Sequence, residues 1–280
     1  MSIWAAIFLG LLQGIAEFLP ISSSGHLSVL QNLFELGTGE EGHLFFDVLL
    51  HFGTLVAICV AYWSSIKEMV FDVLAFVQNR KQPAIEQQRR YPAGRLALML
   101  IFGTLPLLLV LPVNDYIEQL YYNTFFIGAA FLLTGCMLYV SDRMPQGRRQ
   151  EKGMRVRDAL IIGLCQAVAT IPGLSRSGAT ITAGLATGLE RNFALKYSLL
   201  LSLPAVLGAN LLALIRAVKA GIDVTLLPAY FVGMLVAGAS GYFAIRILRR
   251  IVQRDGFGKF SYYCWGVGLV TIILSIVFTV

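Results

Sequence analysis

Charged side chains are scarce in this sequence: Asp, Glu, Lys and Arg make up 14% of its 280 residues, against roughly 25% in soluble globular domains. Hydrophobic residues make up 57% and the mean hydropathy is +0.72, which excludes a water-soluble domain. Lipid offers no partner to backbone polar groups, so only helices and closed barrels span it. Long unbroken apolar runs exclude the alternation of a barrel strand. Cysteine is equally sparse. Cys59, Cys136, Cys165 and Cys264 stand singly in apolar stretches, which argues against a disulfide framework or a zinc site and leaves packing as their expected role. No Lys or Arg occurs before Lys67, so the first apolar run lacks the basic start of a cleaved signal peptide. No nucleic-acid partner is expected.

What the chain has instead is length of apolar run. Six stretches can cross about 30 Å of hydrocarbon: residues 44–63, 95–113, 122–141, 193–215, 226–245 and 260–280. Two other regions do not fit. Residues 3–19 carry Gln13 and Glu17 at the deep end and break at Pro20, and the run that follows, 25–36, is only twelve residues long. Such a length reads as re-entrant. The same pattern returns as 158–171, a break at Pro172-Gly173, and 177–190.

The likeness is in the residues too. Residues 10–25 reappear 153 positions later as 163–178, with seven of sixteen positions identical: Gly10/Gly163, Leu11/Leu164, Gln13/Gln166, Ala16/Ala169, Ser22/Ser175, Ser24/Ser177 and Gly25/Gly178. Small and polar residues are what both copies keep, a set that core packing alone does not select. The expected fold is an all-α polytopic membrane protein of two repeats, 1–145 and 153–280, each a re-entrant broken-helix pair followed by three transmembrane helices. Nineteen of the 22 Lys and Arg fall in 67–95, 143–157, 191–196 and 246–259. The positive-inside bias makes those segments cytoplasmic and puts both termini and the first re-entrant pair outside. An odd number of spans per repeat then inverts one copy relative to the other, the arrangement in which broken helices meet near the midplane.

In each pair the second half-helix starts at a serine-rich turn, Ser22-Ser23-Ser24-Gly25 or Ser175-Arg176-Ser177-Gly178. Free N–H groups and the positive dipole end there would face the middle of the protein, an anion site to which serine hydroxyls add donors. The bland reading is helix capping and close helix contact. Arg176 is the sharpest single residue, because a buried guanidinium is expensive in a membrane unless paired, and its planar fork suits phosphate oxygens. A purely structural pair with Glu17 is the alternative. Glu17 is the only carboxylate in either tip, Thr170 standing at its place in the second copy. Ser23, His26 and Glu17 in one ten-residue window are the set needed to activate a hydroxyl or relay a proton. His26 as a mere helix-start polar group is the simpler reading. Asp47 and His51 share a helix face, as a supporting pair or a self-satisfied one. His43, in a loop, carries no signal.

The segment Gln13-Gly-Ile-Ala-Glu17-Phe-Leu-Pro-Ile-Ser-Ser-Ser-Gly-His26 resembles the (Glu/Gln)-x-x-x-Glu motif and following Ser-Gly-His of the undecaprenyl-diphosphate phosphatases, the bacitracin-resistance family. Pro172-Gly-Leu-Ser-Arg-Ser-Gly-Ala-Thr180 resembles their second signature. The resemblance implies a bacterial inner-membrane hydrolase that removes the terminal phosphate of undecaprenyl diphosphate. It would regenerate the carrier lipid of peptidoglycan and cell-wall synthesis, at a site opening toward the periplasm, with a divalent cation, Mg or Ca. Carried over, Glu17, Ser23, His26 and Arg176 become the catalytic residues. Gln13, Ser22, Ser24, Gly25, Ser175, Ser177, Gly178 and Thr180 would line the phosphate pocket, and Glu17 would be the metal ligand. Gln at position 13 means a two-carboxylate metal site cannot be assumed. Ser23, His26 or an ordered water remains open as the nucleophile, and a homodimer remains open as the assembly. The competing function is a transporter or flippase of an anionic or polyprenyl lipid, since inverted repeats of broken helices also build transporters.

Overall fold

Pro20 and Pro172-Gly173 mark the breaks of the two half-helix pairs, and apolar runs set the spans. The computed structural model describes residues 1–34, 44–78, 92–220, 223–253 and 256–278. His43 and the basic residues Arg80, Lys81, Arg89, Arg90 and Arg254 lie outside the described residues, as do the ends of the runs predicted at 25–36 and 260–280. Among the described residues the regular elements are helices, with one isolated bridge between Arg149 and Leu189.

Helix α1 (Ile3–Phe18) starts at Ser2, whose hydroxyl accepts the Ala5 N–H at 3.2 Å. It ends where Pro20 forces the preceding Leu19 into an extended conformation, ψ 145°,. Helix α2 (Ser23–Phe34) follows after a short turn. Helix α3 (Leu44–Ala61) turns by 80° at Tyr62 into α4 (Trp63–Gln78). The run predicted to span at 44–63 therefore stops two residues early and continues as a bent partner. Helix α5 (Pro92–Thr104) runs on through two 3₁₀ turns, each with proline in its first two positions, to α6 (Asn114–Leu120). Helix α7 is Thr124–Asp142. The second broken pair is α8 (Val156–Val168) and α9 (Arg176–Ala186), followed by α10 (Arg191–Ala220, with Pro204 inside), α11 (Leu227–Gln253) and α12 (Lys259–Phe278). Five of the described helical stretches are long and apolar enough to cross a membrane, and the bent α3–α4 pair makes a sixth. The chain is a polytopic helical membrane protein, with six apolar stretches where six runs were expected.

Helix α11 packs against both α1 and α3, α12 against α7, and α5 against α8. Close crossings rest on small residues, as expected where lipid gives helices no hydrophobic reason to associate. A Cβ on Gly10 would strike the backbone of Gly233, and one on Gly14 the Ala237 carbonyl and the Ser240 hydroxyl. The four cysteines are free, and Cys264 is buried as a packing residue should be. Cys136 departs from that expectation, since it is exposed on the outer face of α7.

Candidate active site

The tips of the two broken pairs meet. A Cβ on Gly25 would lie 2.8 Å from Gly173 Cα and 2.7 Å from Phe131, and the Ser177 hydroxyl donates to the Leu19 carbonyl at 3.2 Å. Both half-helices begin with the same cap: Ser22 Oγ accepts the Gly25 N–H at 3.3 Å, and Ser175 Oγ accepts the Gly178 N–H at 3.1 Å. The third serine follows suit, with Ser22 Oγ 3.4 Å from Ser24 Oγ and Ser175 Oγ 3.3 Å from Ser177 Oγ. What the duplicated serines and glycines do locally is cap, one function the sequence offered for them. The turns differ in how they achieve it. In the second pair a glycine takes the positive φ, Gly173 at +88°, whereas in the first Ser22 itself sits at +65°. A non-glycine residue there stores roughly 1–3 kcal/mol of strain, which surrounding contacts must hold.

Glu17 is the hub. Its Oε1 receives Arg176 Nη2 at 2.5 Å, and its Oε2 receives the Ser23 hydroxyl at 2.7 Å and Gln13 Nε2 at 2.9 Å. These contacts join the carboxylate and the serine turn of the first broken pair to the arginine of the second, 159 positions from Glu17. The structural Arg–Glu pair weighed as an alternative is present. A cavity of about 40 Å³ lies at this point, lined by Glu17, Ser22, Ser23, Ser24, Ser175, Arg176 and Ser177 among others. Both partners of the Arg176–Glu17 pair line it.

His51 belongs here too. Gln13 Nε2 lies 3.0 Å from His51 Nδ1, and an amide nitrogen only donates, so Nδ1 accepts and its ring proton sits on Nε2,. The same nitrogen is 3.8 Å from Glu17 Oε2. Asp47 does not share this contact, and among the described residues no hydrogen bond or ion pair reaches it, so the self-satisfied Asp47–His51 pair does not form. The carbonyl oxygen of Gln13, on a fully buried side chain, has no partner among the described residues.

His26 and Thr180 sit apart from the hub. His26 Nδ1 bonds the Ser22 carbonyl at 2.7 Å, and Nε2 lies 2.9 Å from Tyr263 Oη, with the ring stacked on Tyr263 and edge-on to Phe131. Thr180 is buried between α9 and α10, its hydroxyl donating to the Arg176 carbonyl at 2.8 Å and lying 2.6 Å from Ser198 Oγ. Gly25 and Gly178 contribute cap N–H groups. Tyr263, Phe131 and Thr134, which bonds both the Gly173 carbonyl at 3.0 Å and the Ser175 N–H at 3.2 Å, carry no local sequence signal. They come from helices far along the chain.

Among the described residues no three of His, Cys, Asp and Glu gather as a metal cluster. Glu17 lines the cavity beside the hydroxyls of Ser22, Ser23 and Ser24, and the neighbouring Gln13, whose Nε2 bonds Glu17, has an Oε1 without a partner among the described residues. That set fits magnesium, which commonly binds through one or two protein oxygens plus substrate phosphate.

The family model of the bacitracin resistance protein BacA matches residues 6–270. Similar proteins include the undecaprenyl-diphosphatase of Methanosphaera stadtmanae, 39% identical over 281 residues and 99% of each chain. That of Desulforapulum autotrophicum is 40% identical over 283 residues, 99% of this chain and 100% of the relative. Undecaprenyl-diphosphatase 4 of Bacillus cereus is 37% identical over 275 residues, 98% of this chain and 97% of the relative. With the two motifs at one point of a helical membrane fold and likeness over almost its whole length, this chain belongs to the BacA bacitracin resistance protein family.

Proposed function

We infer that this chain is an undecaprenyl-diphosphatase, an integral membrane enzyme that hydrolyses undecaprenyl diphosphate to undecaprenyl phosphate and inorganic phosphate. The observation that carries the reading is the Glu17 carboxylate bound at once by the Ser23 hydroxyl and the Arg176 guanidinium. The transporter reading has no support of this kind, since anion binding alone has no use for a hydroxyl held against a carboxylate.

In the proposed mechanism the terminal phosphate displaces Glu17 from the Arg176 fork and takes up its free N–H groups. Ser23 then attacks phosphorus, with its proton passing to Glu17 Oε2, to which it is already hydrogen-bonded. Undecaprenyl phosphate leaves, and water hydrolyses the phosphoserine in a second step. Arg176 and the tip N–H groups stabilise the charge on the transferring group, the main contribution of protein in such reactions. His26, engaged by Ser22 and Tyr263 rather than Ser23, holds the strained turn and is a positioning residue. A divalent cation, Mg or Ca, would be held by Glu17 and Gln13 Oε1 and would neutralise phosphate charge. The apolar tail would lie between helices in lipid. The basic ends of the spans support an orientation with the site open to the periplasmic side.

Phosphate release from undecaprenyl diphosphate by purified protein, with and without EDTA, tests this reading. Release that stops on chelation and returns with Mg is the expected result. Binding of the lipid diphosphate with no release under any cation would overturn the enzyme.

A further inference from the structure

A cavity of about 380 Å³ shares no residue with the site above. It sits in the 80° bend between α3 and α4, where the start of α10 and the end of α11 converge, and its polar lining includes Tyr62, Ser64, Ser65, Lys196, Arg249 and Gln253. The Arg249 guanidinium lies 4.1 Å over the Tyr62 ring. Its Nε donates to Tyr62 Oη at 3.3 Å and its Nη2 to the Ala61 carbonyl at 3.1 Å, so these bonds leave other N–H groups of the fork free. Among the described residues Lys196 forms one ion pair, with Glu151 at 3.4 Å. Among the described residues no carboxylate lines the cavity itself.

The backbone adds to the same field. Across the bend the Tyr62 N–H still bonds the Ile58 carbonyl and the Ile66 N–H the Tyr62 carbonyl, and Trp63, Ser64 and Ser65 form the first turn of α4, where helical N–H groups lack intrahelical partners. These residues line the cavity, so the open positive end of α4 reinforces two side-chain cations,. The rim is apolar. Val60 and Trp63, each 60% exposed, flank the opening, and Val70, Phe71 and Leu74 continue an outward apolar face along α4 beside exposed Lys67. Tryptophan at a rim and an amphipathic helix turned out of a span are features of the lipid headgroup level.

We propose that this cavity binds the headgroup of an anionic phospholipid. Its phosphate lies against Arg249, Lys196 and the first turn of α4, and its acyl chains lie along the α4 apolar face. A net negative headgroup satisfies the open donors, and the apolar rim selects a lipid over a soluble anion. On the orientation proposed above this is the cytoplasmic leaflet, where anionic lipids concentrate.

Detergent-purified full-length protein, titrated with phosphatidylglycerol, phosphatidylcholine or inorganic phosphate, tests the site by thermal shift and by native mass spectrometry of retained lipid. Phosphatidylglycerol should raise Tm and stay bound, while zwitterionic phosphatidylcholine should do neither. Arg249→Gln and Lys196→Gln should each weaken phosphatidylglycerol binding roughly tenfold or more, the loss of one charge-assisted contact. Lys196→Gln, which removes only the contact to Glu151, carries the test should Arg249→Gln fail to fold. Unchanged phosphatidylglycerol affinity in Lys196→Gln, or an equal shift with phosphatidylcholine, would overturn the proposal. An equal shift with inorganic phosphate would overturn the lipid and leave a soluble anion as ligand.

Discussion

Left alone, a carboxylate or guanidinium deep in a membrane protein costs at least ~2.5–3.5 kcal/mol on insertion scales, and Glu17 and Arg176 offset that cost in one contact at 2.5 Å. In the proposed mechanism the pair is also the gate, since the phosphate would compete with Glu17 for the same guanidinium fork. Lysine can neutralise Glu17 but cannot offer two parallel donors. Arg176→Lys should therefore remain folded and lose ~3–5 orders of magnitude in kcat, the range known for arginines that stabilise phosphoryl transfer; activity within tenfold of the parent would rule out the bidentate role. Ser23 allows a separate test. Ser23→Ala should abolish turnover and keep the affinity for a non-hydrolysable diphosphate analogue within a few fold, because Arg176 and the tip N–H groups remain. Acid quench after brief exposure to substrate labelled at its terminal phosphate should leave an acid-stable label on the parent protein and none on Ser23→Ala. An acid-labile label would transfer the nucleophile's role to His26. His51→Leu removes the acceptor of the Gln13 amide, and a buried donor left unmet costs about 1–3 kcal/mol. Lower Tm is expected, and an unchanged Tm would detach His51 from the hub.

At the scale of helices, the site depends on how closely two tips approach. Gly25 has no room for a methyl group between Phe131 and Gly173. Gly25→Ala should cost ~1–3 kcal/mol by overpacking and separate Glu17 from Arg176, so activity should fall with stability. Gly266→Ala is the control, since a Cβ there meets nothing within 4 Å. Equal losses in both would mean that tip contact is not what Gly25 protects. The capping serines were legible as helix starts because Ser-x-x-Gly before an apolar run is a local signal. The positive φ of Ser22 was not, because nothing in its neighbours marks it. In that conformation its carbonyl lies 2.7 Å from His26 Nδ1.

The whole molecule raises the question of sidedness. Single cysteines on a cysteine-free background should react with an impermeant reagent at Tyr122, 73% exposed, from outside intact cells, and at Gln150 only after permeabilisation. External labelling at Gln150 would overturn the proposed orientation, and with it the inversion of the repeats. The number of spans was legible because hydropathy over about 20 residues is a property of local sequence. The bend at Tyr62 was not, because no proline or glycine marks it and the run reads as continuous.

Sequence alone determined the solvent, the helical class, the two broken pairs and most of the residues that gather at their tips. Each of these follows from composition or from patterns within a few turns of helix, where backbone satisfaction in lipid leaves few choices. Tertiary structure decided which of those residues touch. Glu17 and Arg176 are 159 positions apart and meet at one point, and His51 joins Gln13 rather than Asp47, four residues away on its own helix. Tyr263 takes His26 away from Ser23. These are contacts between side chains brought together by helix packing. They depend on sub-helical offsets that no periodicity along the chain encodes.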